Sequence, residues 1–333
     1  TDLNDENKNY AKGIHSAFLG YLKERRDYLE FNGYYDKPEL PEDADEDDID
    51  LYNEKMERYE AYEELINAVD KWIDKMNIKD TDMKVITLAN MKGGVGKSSS
   101  ATALSAILTE RGYRTLLIDC DQQCNSTDTY RAETEGAATV YDVLLDDSRI
   151  SVAEAVQHTE CGEILAGDSL LRQADEKLKG SVDGLYRMAD ALEKCEGYDY
   201  IIIDTAPAMN SILHNCLIAA DEVIIPVTAD RYSLQGLSQL NETIKAIKKH
   251  QNPKLTVAGL LLTKYNSRAN LSREVRASLE TVAESMNTKI FDTSIRECIK
   301  VKEAQAQKRT LIEYAPNCTA AEDYNRLADE LTG

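Results

Sequence analysis

The sequence predicts an α/β fold, a mostly parallel twisted sheet with helices on both faces, preceded by a helical N-terminal extension. Three observations predict it. From Lys84 onward, short β-rich apolar runs alternate with helical stretches. Those runs are apolar throughout, which is the pattern of strands buried on both faces. A glycine-rich loop ending in Lys97-Ser98 stands between the first such run and the helix after it.

Taken in order, residues 1–32 read as one helix, because Ile14, Phe18, Tyr21, Leu22 and Leu29 recur at helical spacing. Asn32-Gly33, Pro38 and Pro41 break the chain and lead into the acidic run from Glu42 to Asp48. Such a run repels itself and reads as a solvated loop. A second helix runs from about Leu51 to Met76, with Leu65, Val69, Trp72, Ile73 and Met76 on one stripe. Residues 1–83 therefore make an acidic helical hairpin, its stripes packing on the main domain in preference to a partner. The connection is too long, and its charge wrong, for a helix-turn-helix. The main domain is expected over 84–333, with strands at 85–89, 115–118, 200–203, 222–227 and 255–263. Ligands on such sheets bind at the carboxyl ends of the strands.

With 42% hydrophobic and 30% charged residues, the 333-residue chain is globular in balance, neither fibrous nor disordered. No window nears the ~18 apolar residues of a membrane span, and the first residues lack the basic and apolar segments of a signal peptide. Seven scattered cysteines without a Cys-x-x-Cys argue against a disulfide framework, a zinc ribbon or an iron–sulfur cradle. They suit a reducing cytoplasm. The net charge of −21 opposes non-specific polyanion binding by the molecule as a whole. The charge is uneven, however. Residues 1–83 hold 11 basic and 24 acidic side chains, whereas 245–309 hold 14 and 6.

The strongest chemistry sits in Met91-Lys92-Gly93-Gly94-Val95-Gly96-Lys97-Ser98. It departs from G-x-x-x-x-G-K-[ST] in having Lys92 where the first glycine would stand. Its glycines let the backbone curl so that successive N–H groups face phosphate oxygens, and the helix N-terminus adds partial positive charge. Lys97 can reach the β- and γ-phosphates, and the Ser98 hydroxyl can ligate Mg²⁺. The nucleotide-binding residues are thus Gly93, Gly94, Val95, Gly96, Lys97, Ser98 and Ser99. Two strand ends supply carboxylates near the loop. One carries Asp119 and Asp121. The other carries Asp204 after four apolar residues, which suits a metal-organising aspartate of the Walker B kind.

These residues resemble the ParA/MinD group of ATPases, P-loop NTPases of the deviant Walker A type. Lys92 through Ser98 looks like their phosphate loop with its second lysine. Leu117 through Thr127 resembles the D-x-D-P-Q-x-N-x-T segment of ParA/Soj proteins, with Gln122 in place of the proline. Asp204-Thr205-Ala206-Pro207 resembles their switch segment, and Ala219 through Val227 the strand after it. The likeness continues through Thr263–Val275, Phe291–Ala304 and Tyr314–Tyr324, and does not reach residues 1–83. The resemblance implies a Mg²⁺-dependent ATPase in which two monomers sandwich two ATP molecules. Lys92 would reach across to the partner's phosphates and Asp121 would position the attacking water. Asp119 would support the metal's water shell, and Asp204 would organise Mg²⁺. The implied partners are a second copy of the chain, a ParB-like or other activator, and non-specific DNA, but no membrane.

The resemblance places DNA contacts in the basic segment, where the candidates are Arg268, Arg273, Arg276, Arg296, Lys300 and Lys302. Solvated helix faces balanced by nearby acids are the competing reading. The leading function is a ParA-type switch that partitions or positions DNA or another cargo. One alternative keeps the ATP switch without DNA and recruits a protein through residues 1–83. A nitrogenase iron-protein-like reductase is disfavoured by the missing paired cysteines, and a non-hydrolysing scaffold by Lys97, Ser98 and Asp121.

Overall fold

The computed structural model describes residues 83–145, 150–230, 233–266 and 270–333, with Met56 alone ahead of them. The helices expected over 1–32 and 51–76 and the acidic loop between them fall, Met56 aside, outside the described residues. The first half of the domain runs β1 (Lys84–Leu88), α1 (Lys97–Glu110), β2 (Thr115–Cys120), α2 (Asn125–Tyr130), α3 (Val140–Leu145), α4 (Val152–Ala155), β3 (Val156–Thr159) and β4 (Gly162–Leu165). It continues through α5 (Leu171–Lys179), α6 (Arg187–Glu193), β5 (Tyr200–Thr205), α7 (Ser211–Ala219), β6 (Glu222–Thr228), α8 (Ser233–His250) and β7 (Thr256–Thr263). The last helices are α9 (Asn270–Ser285), α10 (Ile299–Ala306), α11 (Leu311–Tyr314) and α12 (Thr319–Thr332).

The strands form one seven-stranded sheet in the order β3-β4-β2-β5-β1-β6-β7. All neighbours are parallel except β3, which pairs antiparallel with β4 at the edge. The five expected strands appear as β1, β2, β5, β6 and β7. The β3–β4 hairpin is additional. Its first strand is half-buried and mostly polar, Val156-Gln157-His158-Thr159, so it carries no apolar run to betray it.

Alternation within each strand feeds two cores, one on each face of the sheet. Ile201, Ile203, Leu116 and Ile118 join one, with Leu213 and Leu217 of α7 and Leu240 of α8. Ile202, Leu117, Ile86 and Leu88 join the other, with Leu104 and Ile107 of α1 and Leu327 of α12. By the same alternation Asp119 and Asp204 fall on the α1 face. Register then sets them side by side, since Asp119 pairs with Asp204 across β2 and β5 and Leu88 pairs with Asp204 across β1 and β5. The acids and the loop after β1 are thus brought to one end of three adjacent strands. Among the described residues, no helix is long and apolar enough to cross a membrane.

Candidate functional site

The loop between β1 and α1 is shaped by Gly94 at φ +72° and Gly96 at φ +90°, left-handed values that favour glycine. Gly96 is the N-cap of α1, and no side chain caps that end or places an acid in its first turn. The first amides and the positive end of a 14-residue helix therefore stand at the cleft without a side-chain anion of their own. Lys97 is only 6% exposed. Burial lowers its pKa, while Asp204 and Asp121 pull it back up. Its Nζ donates to the Lys92 carbonyl at 3.3 Å.

Asp119 and Asp204 are both fully buried, and they are held differently. Asp119 Oδ2 accepts from the Thr127 amide at 2.8 Å and the Thr127 hydroxyl at 2.7 Å, and its Oδ1 accepts from the Asp121 amide at 3.1 Å. Thr127 Oγ1 in turn accepts from the Gly167 amide at 2.8 Å. A Cβ at position 167 would stand 2.8 Å from the Asp119 carbonyl, so only glycine lets that backbone approach. Asp204 Oδ2 accepts from Ser126 Oγ at 2.7 Å, and the nearby Ser98 side chain favours the ionised form of this carboxyl. Asp204 Oδ1 is buried with no hydrogen-bond partner. Burial first, then the neighbouring Asp119, pushes the Asp204 carboxyl well above the usual carboxylate range, and burial also raises Asp119.

A buried orphan oxygen costs free energy of about 1–3 kcal/mol unless something satisfies it. A hydrated cation between Ser98 and Asp204 would do so, and its charge would favour the ionised carboxylate. The residues present therefore fit a magnesium ion. No group of three His, Cys, Asp or Glu among the described residues could hold a metal alone. A cation here would draw its other oxygens from phosphate and water, as hard Mg²⁺ does.

Beside the loop lies a cleft of about 470 Å³ whose lining also includes Arg296, Cys298, Lys302 and Gln305. Gly93, Gly94, Gly96, Lys97, Ser98, Ser99 and Asp121 all border it, and Val95 is buried behind them. Asp121 is 5% exposed, and its Oδ1 accepts from the Gln123 amide at 2.9 Å. Lys92 stands apart at the surface. Its Nζ bonds both Asp230 oxygens, at 2.6 and 2.7 Å.

Among the described candidate DNA contacts, two of the four cations are tied to acids. Arg268 and the side chain of Arg273 lie outside the described residues. Arg296 lies against buried Asp323, with Nε 2.9 Å from Oδ2 and Nη2 2.8 Å from Oδ1, and also pairs with Glu322. Lys300 pairs with Glu303 at 2.7 Å, and Arg276 reaches Ser294 Oγ at 3.5 Å. Lys302 borders the cleft.

Sequence reasoning assigned no role to Ser126, Thr127, Asp230, Thr263 or Lys264. The hydroxyls at 126 and 127 lie within the segment that carries the family likeness, a signal that they matter but not how. Thr263 and Lys264 also lie within a segment of that likeness, but nothing local shows their bonds to the loop or that of Asp230, because their partners there are more than 130 residues away in the chain.

The chain matches the AAA domain family over residues 83–257 and, over 192–333, the 4Fe-4S iron sulfur cluster binding proteins of the NifH/frxC family. It is 35% identical over 250 residues to the sporulation initiation inhibitor protein Soj of Bacillus subtilis, spanning 74% of this chain and 98% of that protein. It is 33% identical over 255 residues to the chromosome partitioning protein ParA of Caulobacter vibrioides, spanning 75% and 94%. Among solved structures, apo McdA of Cyanothece is similar with a TM-score of 0.68 at 26% identity, over 76% of this chain and 100% of that one. Cobyrinic acid a,c-diamide synthase from Mycobacterium smegmatis, with bound ADP and magnesium, gives 0.65 at 28% identity, over 75% and 94%.

Proposed function

This chain belongs to the Soj/ParA family of partitioning ATPases, and from that premise we propose that it is a cytoplasmic switch that dimerises on ATP to partition or position DNA or another cargo. It is an ATPase, and its cofactors are ATP and Mg²⁺. One observation carries the reading. An uncapped helix N-terminus and the buried ammonium of Lys97 border the cleft, and the Asp204 carboxylate, with its orphan Oδ1, lies close enough to Lys97 to raise its pKa.

Magnesium, when bound between Ser98 and Asp204, supplies charge that offsets the β- and γ-phosphoryl oxygens. The loop amides from Gly93 to Ser99 cradle the phosphates, and Lys97 adds a cation from within the same chain. Asp121 orients the attacking water from the cleft wall. Asp119 holds Thr127 and through it the backbone at Gly167, which keeps the β2 end in place. Lys92 acts in trans, offsetting charge that develops on the partner's transferred phosphoryl group. Within one chain Asp230 holds that lysine. The partners are a second copy and a ParB-like or other protein that stimulates hydrolysis.

Nucleotide titration and phosphate release on two variants test the reading. Lys97→Ala should lose productive ATP binding, and Asp121→Ala should bind ATP yet hydrolyse it at least a hundredfold more slowly. Normal turnover by Asp121→Ala would sink the assignment.

A second reading, without DNA, rests on the ion pairs of the basic segment. Lys245, Arg296, Lys300, Lys308 and Arg309 each face an acid, which lowers the field a phosphate backbone would meet. On that reading the extension over 1–83 recruits a protein. Salt-dependent DNA binding in the presence of ATP separates the two.

A further inference from the structure

The end of β7 grips the phosphate loop through two consecutive residues. Thr263 Oγ1 donates to the Val95 carbonyl at 2.7 Å, and Lys264 Nζ donates to the Gly94 carbonyl at 2.7 Å. In an extended strand these neighbours would project to opposite faces. Lys264 instead has φ +50°, a left-handed value that a side-chain-bearing residue adopts at a cost. That turn lets both side chains reach the same loop. The backbone on either side is anchored, since Thr263 Oγ1 also lies 3.3 Å from the Val227 carbonyl and the Tyr265 amide donates to the Ile295 carbonyl at 3.0 Å.

Glycine would take this conformation without strain, so the lysine side chain is there for another reason. Its bond fixes the Gly94–Val95 peptide. A peptide unit is planar and trans, so holding the carbonyl toward Lys264 aims the Val95 N–H the opposite way. Thr263 does the same for the next unit, aiming the Gly96 N–H. The Lys92 carbonyl is taken by Lys97, and the Gly96 carbonyl by the Ser100 amide at 2.9 Å. The Gly94, Val95 and Gly96 carbonyls are thus taken up, leaving the amides to serve an anion.

We propose that Lys264 is a positioning residue for nucleotide: by holding the Gly94 carbonyl it presets the loop amides for the phosphates that ADP and ATP share. The proposal rests on the nucleotide site described above. It acts on the β-phosphate cradle, so affinity for ADP and ATP falls together when the ammonium is lost, while turnover at saturating ATP changes little.

The test compares Lys264→Met, Lys264→Gly and Lys264→Arg in the full-length chain. Binding isotherms for fluorescent ADP with Mg²⁺ and thermal unfolding without nucleotide are the readouts. Met keeps the apolar stem without the donor, Gly relieves the left-handed residue without the donor, and Arg keeps a donor. Expected are a three- to tenfold weaker ADP affinity for Met and Gly, unfolding temperatures within 2 °C of wild type or above it, and near-normal affinity for Arg. Wild-type affinity in Lys264→Met or Lys264→Gly would overturn the proposal. So would a large fall in unfolding temperature in both, which would make the lysine a fold-stabilising residue, or failure of Arg to restore binding. Absence of ADP binding by the wild type would instead overturn the nucleotide-site reading itself.

Discussion

The phosphate loop and the basic segment over 245–309 both carry candidate phosphate-binding cations, and they are built in opposite ways. At the loop, Lys97 and three acids are buried together, and one carboxylate oxygen is left without a protein partner. In the basic segment, exposed cations close onto acids drawn from several elements: Lys308 onto Asp128 of α2, Arg296 onto Asp323 of α12, Lys300 onto Glu303 of its own helix. The first arrangement is unfinished without a ligand, whereas Lys245, Arg296, Lys300, Lys308 and Arg309 of the second already face acids. A net charge counted along the chain cannot see that difference. Surface pairs are worth about 0–1 kcal/mol each, so phosphate could displace some of them, but each displacement reduces the gain.

The largest effect should separate the two regions outright. Lys97→Ala should weaken ATP binding by a hundredfold or more, whereas the double change Lys300→Ala with Lys302→Ala should leave ATP affinity within threefold. If DNA is bound, the same double change should flatten the salt dependence of binding by up to about two in slope, roughly 0.9 for each phosphate no longer neutralised. An unchanged slope would remove both lysines from any DNA face.

Next in size is Arg296→Ala. Fully buried Asp323 would keep only Arg326 as a charged partner, so stability should fall by about 2–4 kcal/mol in urea unfolding. A loss below 0.5 kcal/mol would show that Arg296 is not needed to hold that carboxylate and would return it to the candidates for DNA contact.

A smaller effect is expected at Asp230, whose side chain is 37% exposed and paired with a Lys92 side chain that is 33% exposed. Lys92→Ala should abolish ATP-dependent dimerisation in light scattering. Asp230→Ala should favour it only severalfold, because a pair so open to solvent is worth at most about 1 kcal/mol. Equal dimerisation by wild type and Lys92→Ala would end the trans role. The smallest effect is predicted for removing residues 1–80, which should leave ATP-dependent DNA affinity unchanged if the extension recruits a protein. A tenfold tightening would mean instead that its acids screen the basic segment, since exposed charges act over only about 8 Å at physiological salt.

What the sequence by itself determined is what depends on neighbours in the chain. Strands β1, β2, β5, β6 and β7 were legible because a buried strand must be apolar at nearly every position. The loop was legible because its glycines, lysine and serine act through backbone they themselves shape. The polar edge strand β3 was not legible, being only half-buried and too short to show a pattern. Tertiary structure alone decided the second set of features. Asp119 and Asp204 look alike at their strand ends, yet register and the following helix give Asp119 a full set of donors and leave Asp204 one oxygen short. Arg296 reads as a free cation until α12 folds back with Asp323. Lys264 meets Gly94 across 170 positions. The strand order carries β7 past β6 to the loop after β1, and no local pattern encodes which side chain will arrive there. Backbone periodicity is a local property of the chain, whereas a hydrogen-bond partner is fixed only when distant strands take their places in the sheet.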